Sequence, residues 1–197
     1  MSSKVEICNL ALNHIGQIQI DSLIERSEAA KRCNLVFDSA RDQVLRAHAW
    51  TFAGATIALA ALSEVTTDWS FCYAYPSDCL FVRQVYGEGM KKDPQPAKYD
   101  LGLSPDTRAK AILTDVEAAY CDYTVRVENT EAFDGSFVDA LSWKIAALIA
   151  QPLTGNAGLA DVMARNYMQA IEDAKRTNKS EPNSPVAPYS QYIAARS

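Results

Sequence analysis

The stretch from Trp69 to Tyr86 constrains this chain more than any other. Trp69, Phe71, Tyr73 and Tyr75 alternate with Ser70, Cys72 and Ala74, the period of a strand with one aromatic face. Pro76 then removes a backbone donor and holds Tyr75 in extended geometry. The strand must therefore stop, and the chain turns through Ser77-Asp78 into a second apolar run, Cys79 to Val85. A hairpin or a sharp corner is expected here. Any fold for this chain has to accommodate that β element within a sequence whose other strong periodicities are helical.

The helical signals lie on both sides of it. Ser3 and Glu6 have capping-box spacing ahead of Val5, Cys8, Leu12 and Ile15, and Gly16 offers a stop, so a first helix is expected over Lys4 to Ile15. Ile18 and Ile20 follow in a short connection. From Ser27, the residues Ala30, Cys33, Phe37, Ala40, Val44 and Ala47 keep three-four spacing, with Lys31, Arg32, Asp38, Arg41 and Asp42 on other faces. This second helix ends near His48-Ala49. After Phe133-Asp-Gly-Ser136, the residues Phe137, Leu141, Ile145, Leu148 and Ile149 define a third helix that Pro152 and Gly155 close near Leu153. A fourth spans Ala157 to Asn178, with Leu159, Met163, Tyr167, Ala170 and Ala174 inward.

Between the helical pairs, Ala53 to Leu62 is apolar without a diagnostic period and is taken as an extended crossing. Lys98 to Leu101, Ala111 to Thr114 and Ala118 to Glu128 are strand candidates. The fold class expected is α+β, mainly α: a four-helix bundle with a small antiparallel β domain inserted between helices 2 and 3. The domain limits follow as 1–62 with 129–178 for the bundle and 63–128 for the insertion. Residues 179–197 remain as an extended C-terminal arm, because Pro182, Pro185 and Pro188 favour a polyproline-like path.

Composition narrows the function. A net charge of -5 and a pI near 5.1 disfavour a nucleic-acid packaging factor, whose affinity scales with clustered Lys and Arg. The start of the sequence has no signal-peptide pattern, and no apolar run approaches the roughly 20 residues of a membrane span; a cytoplasmic setting is expected. Five cysteines, Cys8, Cys33, Cys72, Cys79 and Cys121, form no CxxC pair, so free thiols are expected rather than disulfides or a zinc site.

Catalytic signatures are not found in the sequence. Neither a GxxxxGK[ST] loop, a GxGxxG loop nor a GxSxG elbow occurs. His14 and His48 fall at helix ends, without a second ligand at i+4. Glu172 and Asp173 diverge by about 100° on an exposed helix face. No catalytic, cofactor-binding or metal-binding residues are assigned. The aromatic stripe Trp69, Phe71, Tyr73, Tyr75 lacks the surrounding cations of a base-stacking platform, and core or interface packing is the better account. In the arm, Tyr189, Tyr192, Ile193 and Arg196 suit a segment that orders on a partner as well as they suit a solvated terminus.

The ordered set Trp50-Thr-Phe-Ala53, Leu59-Ala60, Trp69, Tyr73-Ala-Tyr-Pro-Ser-Asp-Cys-Leu80, Tyr123 to Val127, Phe133-Asp134 and Phe137, with Glu172-Asp-Ala-Lys-Arg176 and Ala195-Arg196 near the end, resembles the head-to-tail adaptors of short-tailed phages and prophages, the tail tubular protein A group. Asn178, where an acidic residue is expected, and Ala53, without a following basic residue, depart from that pattern. The resemblance implies a structural virion protein and no enzyme: a helical bundle with a small β domain, assembled as a homo-oligomeric ring, a dodecamer by resemblance. That ring sits in the virion below the portal protein, joins it to the tail nozzle protein, and lets DNA pass without specific binding or any membrane role. By the same resemblance, the arm with Tyr189, Tyr192, Ile193 and Arg196 is the candidate portal contact, and Trp69, Phe71, Tyr73 and Tyr75 are the candidate subunit or tail interface. An acidic lumen that repels phosphates accords with the charge of the chain. A head-completion or stopper protein of a long-tailed phage is the nearest alternative; a small cytoplasmic enzyme with a scattered site is the alternative from another class.

Overall fold

A computed structural model describes residues 2–63, 68–88 and 97–180. The chain is a mixed α+β protein, and its described residues form four α-helices and two three-stranded antiparallel sheets. Helix α1 covers Lys4–His14 and α2 Glu28–Ala47; strands β1 Gly54–Ala58, β2 Phe71–Ala74, β3 Cys79–Tyr86, β4 Tyr99–Leu103, β5 Lys110–Thr114 and β6 Tyr120–Val125 follow; α3 Gly135–Thr154 and α4 Ala157–Ser180 close the described part. No helix among the described residues is long and apolar enough to cross a membrane.

The helix ends are set by local chemistry. Glu6 N donates to Ser3 Oγ at 3.2 Å and Ser3 N to Glu6 Oε2 at 2.6 Å, the reciprocal pairing of a capping box. Gly16 takes the left-handed conformation (φ 68°) while Gln17 N reaches back to Leu12 O at 2.9 Å, closing α1 as such caps do. Ser27 caps α2 and Asp134 caps α3 through the Ala30 and Phe137 amides. Pro152 is accommodated in the last turn of α3, and Gly155 (φ 70°) ends it. Between α1 and α2, Asn9 clamps both backbone groups of Ile20 at 2.9 Å. That clamp fixes Ile20 in the core, while Ile18 is left exposed.

Helix α3 is central among the helices. Its Phe137, Leu141, Ile145 and Ile149 are fully buried, and α1, α2 and α4 all pack against it. Cys8, Cys33, Phe37 and Val44 from α1 and α2 complete the cluster with Met163, Ile171 and Ala174 from α4. Arg41 departs from the sequence expectation, which placed it on an outer face; it is only 4% exposed. Asp38 and Asp42 hold its guanidinium at 3.0 and 2.9 Å, and the same carboxylates also meet Lys4 and Arg126. A buried charge is tolerated when so paired, and the network ties α1 and α2 to the chain leaving β6.

The strands form two layers, ordered β1-β6-β3 and β2-β5-β4. Tyr73, Val82, Val85, Ile112, Cys121 and Tyr123 meet between the layers as a second core. Of the two forms expected around Pro76, the chain takes the corner and not the hairpin, since β2 pairs with β5 and β3 with β6. Cys79 N bonds Pro76 O at 3.0 Å and sends the chain from one layer to the other. The apolar segment after Ala53 is not a lone crossing: β1 pairs with β6, and Leu62 N and Ala74 N then bond Cys72 O and Ala60 O. Residues 54–62 thus edge both layers, pairing with strands on the other side of the limit expected at residue 63. This apolar run, mostly exposed, finds its backbone partners in β6 and β2, a pairing that periodicity alone does not identify. Cys8, Cys33, Cys72 and Cys121 are buried and Cys79 is half-buried, and none of the five forms a disulfide.

Candidate functional site

The aromatic residues flanking the strands converge. Trp50 is fully buried, its Nε1–H donating to Val44 O at 2.8 Å. Phe137 meets it edge-on with ring centroids 5.1 Å apart, a favoured aromatic geometry. Phe52 and Phe133 join the same cluster. The seam between the helices and the strands is thus built from residues that precede β1 and follow β6.

The stripe Trp69, Phe71, Tyr73, Tyr75 is divided by its surroundings. Tyr73 is buried between the layers and its hydroxyl donates to Val116 O at 2.8 Å. Phe71 lies beside it, half-buried, with centroids 6.2 Å apart. Trp69 is half-buried before β2. Tyr75, past the end of β2, opens onto a cleft of about 390 Å³ between the layers. The four rings therefore do not form one exposed platform.

This cleft has a mainly apolar lining. Its floor is Leu80, Val82 and Ala111, and Tyr99, Leu101 and Leu103 line it from β4. Their i, i+2, i+4 spacing places them on one face of that strand. Phe81, Leu101 and Leu103 are 48%, 53% and 56% exposed, an unusual grouping of large apolar side chains at an open rim. Two cations complete the rim: Arg46 from the last turn of α2 and Lys110 from β5. Lys110 Nζ stands 5.4 Å from the centroid of the Tyr75 ring, within cation–π range.

The cleft's phenols, Tyr75 and Tyr99, are held neutral, as is the Cys79 thiol beside Tyr75. Burial, reinforced by the Cys79 thiol, raises the Tyr75 phenol, and burial also raises Tyr99 and Cys79. A thiol so shifted is a poor nucleophile, so the cleft is suited to apolar and cation–π contact.

The histidines lie apart. His14 stacks on Trp143 with centroids 3.4 Å apart and planes within 7°. The Ser142 hydroxyl donates to Asp139 O at 2.8 Å, leaving its oxygen to accept from His14 Nε2 at 2.9 Å. Burial lowers both His14 and His48; Lys175 and Arg83 lower His48 further. No three His, Cys, Asp or Glu side chains among the described residues are grouped to hold a metal ion. One polar arrangement had no sequence signal: Asp122 accepts from Thr56 at 2.5 Å and from the Tyr86 hydroxyl at 3.0 Å, beside Arg83. These groups come from three strands joined only by pairing. Tyr189, Tyr192, Ile193 and Arg196 lie outside the described residues.

No protein-family model matches the chain, and no curated protein matches it.

Proposed function

We propose that this chain is a structural virion protein, a ring-forming adaptor that joins a phage portal to the tail nozzle and forms part of the DNA channel. In this reading the four helices are a bundle and the strands are a domain inserted between α2 and α3. The observation that carries it is the placement of the residues on which the resemblance rests. Trp50, Phe52, Phe133 and Phe137 meet in one cluster, Asp134 caps α3, and Tyr75-Pro76 stands at the corner between the layers. Scattered in sequence, they hold the joints of the fold, as a shared architecture requires.

A ring is built from heterologous contacts, so two different faces of each subunit must be complementary. The apolar rim of the cleft supplies one such face on the strands. Portal attachment falls to the arm, with Tyr189, Tyr192, Ile193 and Arg196, and Trp69, Phe71 and Tyr75, half-buried in the subunit, are the aromatics that face a neighbour.

Native mass spectrometry of the chain, alone and mixed with the portal protein of a short-tailed phage, tests this reading. A ring-sized particle, or a ring that forms once portal is added, is the expected result. A chain that stays monomeric and leaves the portal unbound would overturn it.

A further inference from the structure

We propose that the cleft between the two strand layers is the docking site for the chain's own C-terminal segment, with Tyr189, Tyr192 and Ile193 as the side chains that fill it. The inference concerns the free chain and does not depend on the adaptor reading, in which assembly draws the arm out of the cleft and so frees both the arm and the rim for their partners.

The geometry of the last helix pair brings the segment to the cleft. Helices α3 and α4, of 20 and 24 residues, are joined by a short turn at Gly155-Asn156 and run back along each other. At 1.5 Å per residue they extend about 30 and about 36 Å, so α4 overshoots the start of α3 by about one turn. The start of α3 is where the helices meet the strands. Lys175, near the end of α4, and Asp134, the N-cap of α3, both act on His48. His48 follows α2 by one residue, and Arg46 of that helix's last turn forms part of the cleft rim. The chain therefore leaves α4 on the side of the helices where α2 ends. Nine residues, 181 to 189, can span about 30 Å at most, a reach equal to the length of α3 itself.

The chemistry of the segment matches the cleft. Residues 182–195 contain no charged side chain, and Tyr189, Tyr192 and Ile193 form their most apolar group, free of proline. An uncharged aromatic and aliphatic occupant leaves no carboxylate or ammonium buried without a partner. It would cover Phe81, Leu101 and Leu103, the large apolar side chains exposed at the rim, and tyrosine rings there would meet Arg46 and Lys110 as Tyr75 already meets Lys110. The three prolines before the group lower the entropy lost on docking, because they restrict the undocked segment.

Amide NMR spectra of the full chain and of a chain ending at Ser180 test the proposal. The expected result is that amides of Tyr75, Phe81, Leu101, Leu103 and Lys110 shift on truncation, independently of protein concentration. A synthetic peptide of residues 181–197, added to the shortened chain, should move them back. In the full chain, Leu101→Ser with Leu103→Ser should shift the amides of 189–193, which keeps the test available if the shortened chain does not fold. Cleft amides that superimpose in the two chains, or 189–193 amides indifferent to the rim substitutions, would overturn it. So would differences that vanish on dilution as a dimer dissociates, since the occupant would then be a neighbour's arm.

Discussion

The Arg83 guanidinium donates a 2.8 Å hydrogen bond to the Trp50 carbonyl, while its Nε donates to Thr124 Oγ1 at 3.0 Å. One side chain from β3 thereby links the strand layers to the backbone at the buried tryptophan of the helical core. Gly54, the first residue of β1, makes room for it: a Cβ there would lie 2.9 Å from Arg83 Nη1.

Arg83→Ala is expected to cost about 2 kcal/mol, the scale of hydrogen bonds from a charged donor. Gly54→Ala should also destabilise the wild-type chain, and much less so when Arg83 is already alanine. Urea unfolding of the four chains of this cycle measures the coupling; additive costs would show that the guanidinium does not set the requirement for glycine.

Phe37, 2% exposed in the helical cluster with Lys4 Nζ 5.1 Å from its ring centroid, should cost about 3–5 kcal/mol when replaced by alanine. Thermal or denaturant unfolding reads this directly. A loss below about 1 kcal/mol would mean that α1 and α2 close over the space.

Tyr73→Phe keeps the ring between the strand layers and removes only the hydroxyl. That hydroxyl donates to Val116 O at 2.8 Å and accepts from Ala119 N at 3.4 Å. The expected loss is about 1–2 kcal/mol, mostly from the carbonyl and amide left without it. Faster amide exchange at Val116 to Ala119, with the helices unaffected, would locate the effect.

Stability should fall as pH drops through the ordinary histidine value of 6.5 and level off below the folded-state values. Burial keeps His14 and His48 neutral in the fold against the pull of Asp139 and Asp134, so the unfolded chain takes up their protons first. His14→Gln should flatten part of this slope, measured as melting temperature from pH 8 to pH 5. A slope unchanged in that variant would remove His14 from the account.

Helices were legible because their determinants are local. Ser3-Glu6, Ser27 and Asp134 at the starts, Gly16 and Gly155 at the ends, and three-four spacing between them fixed four helices to within a few residues, since caps and periodicity act within a turn or two. Strand candidates were legible in the same way from alternation, Phe71 against Cys72 or Tyr73 against Ala74. Their partners were not. The two layers depend on contacts such as Ala55 with Tyr123 and Phe71 with Thr114, across dozens of residues, and alternation states which face is apolar without stating what it meets.

The candidate site follows the same division. Sequence marked Tyr75 and Pro76 as a place where the chain must turn, because proline restricts its own backbone and that of the residue before it. Only the tertiary structure set Tyr75 opposite Leu101 and Leu103, brought Lys110 over its ring, placed Arg46 at the rim from α2, and buried Arg41 between two carboxylates. Burial and contact between distant segments arise when the layers pack; the chain's local order determines its elements, and packing determines which of their side chains share a surface.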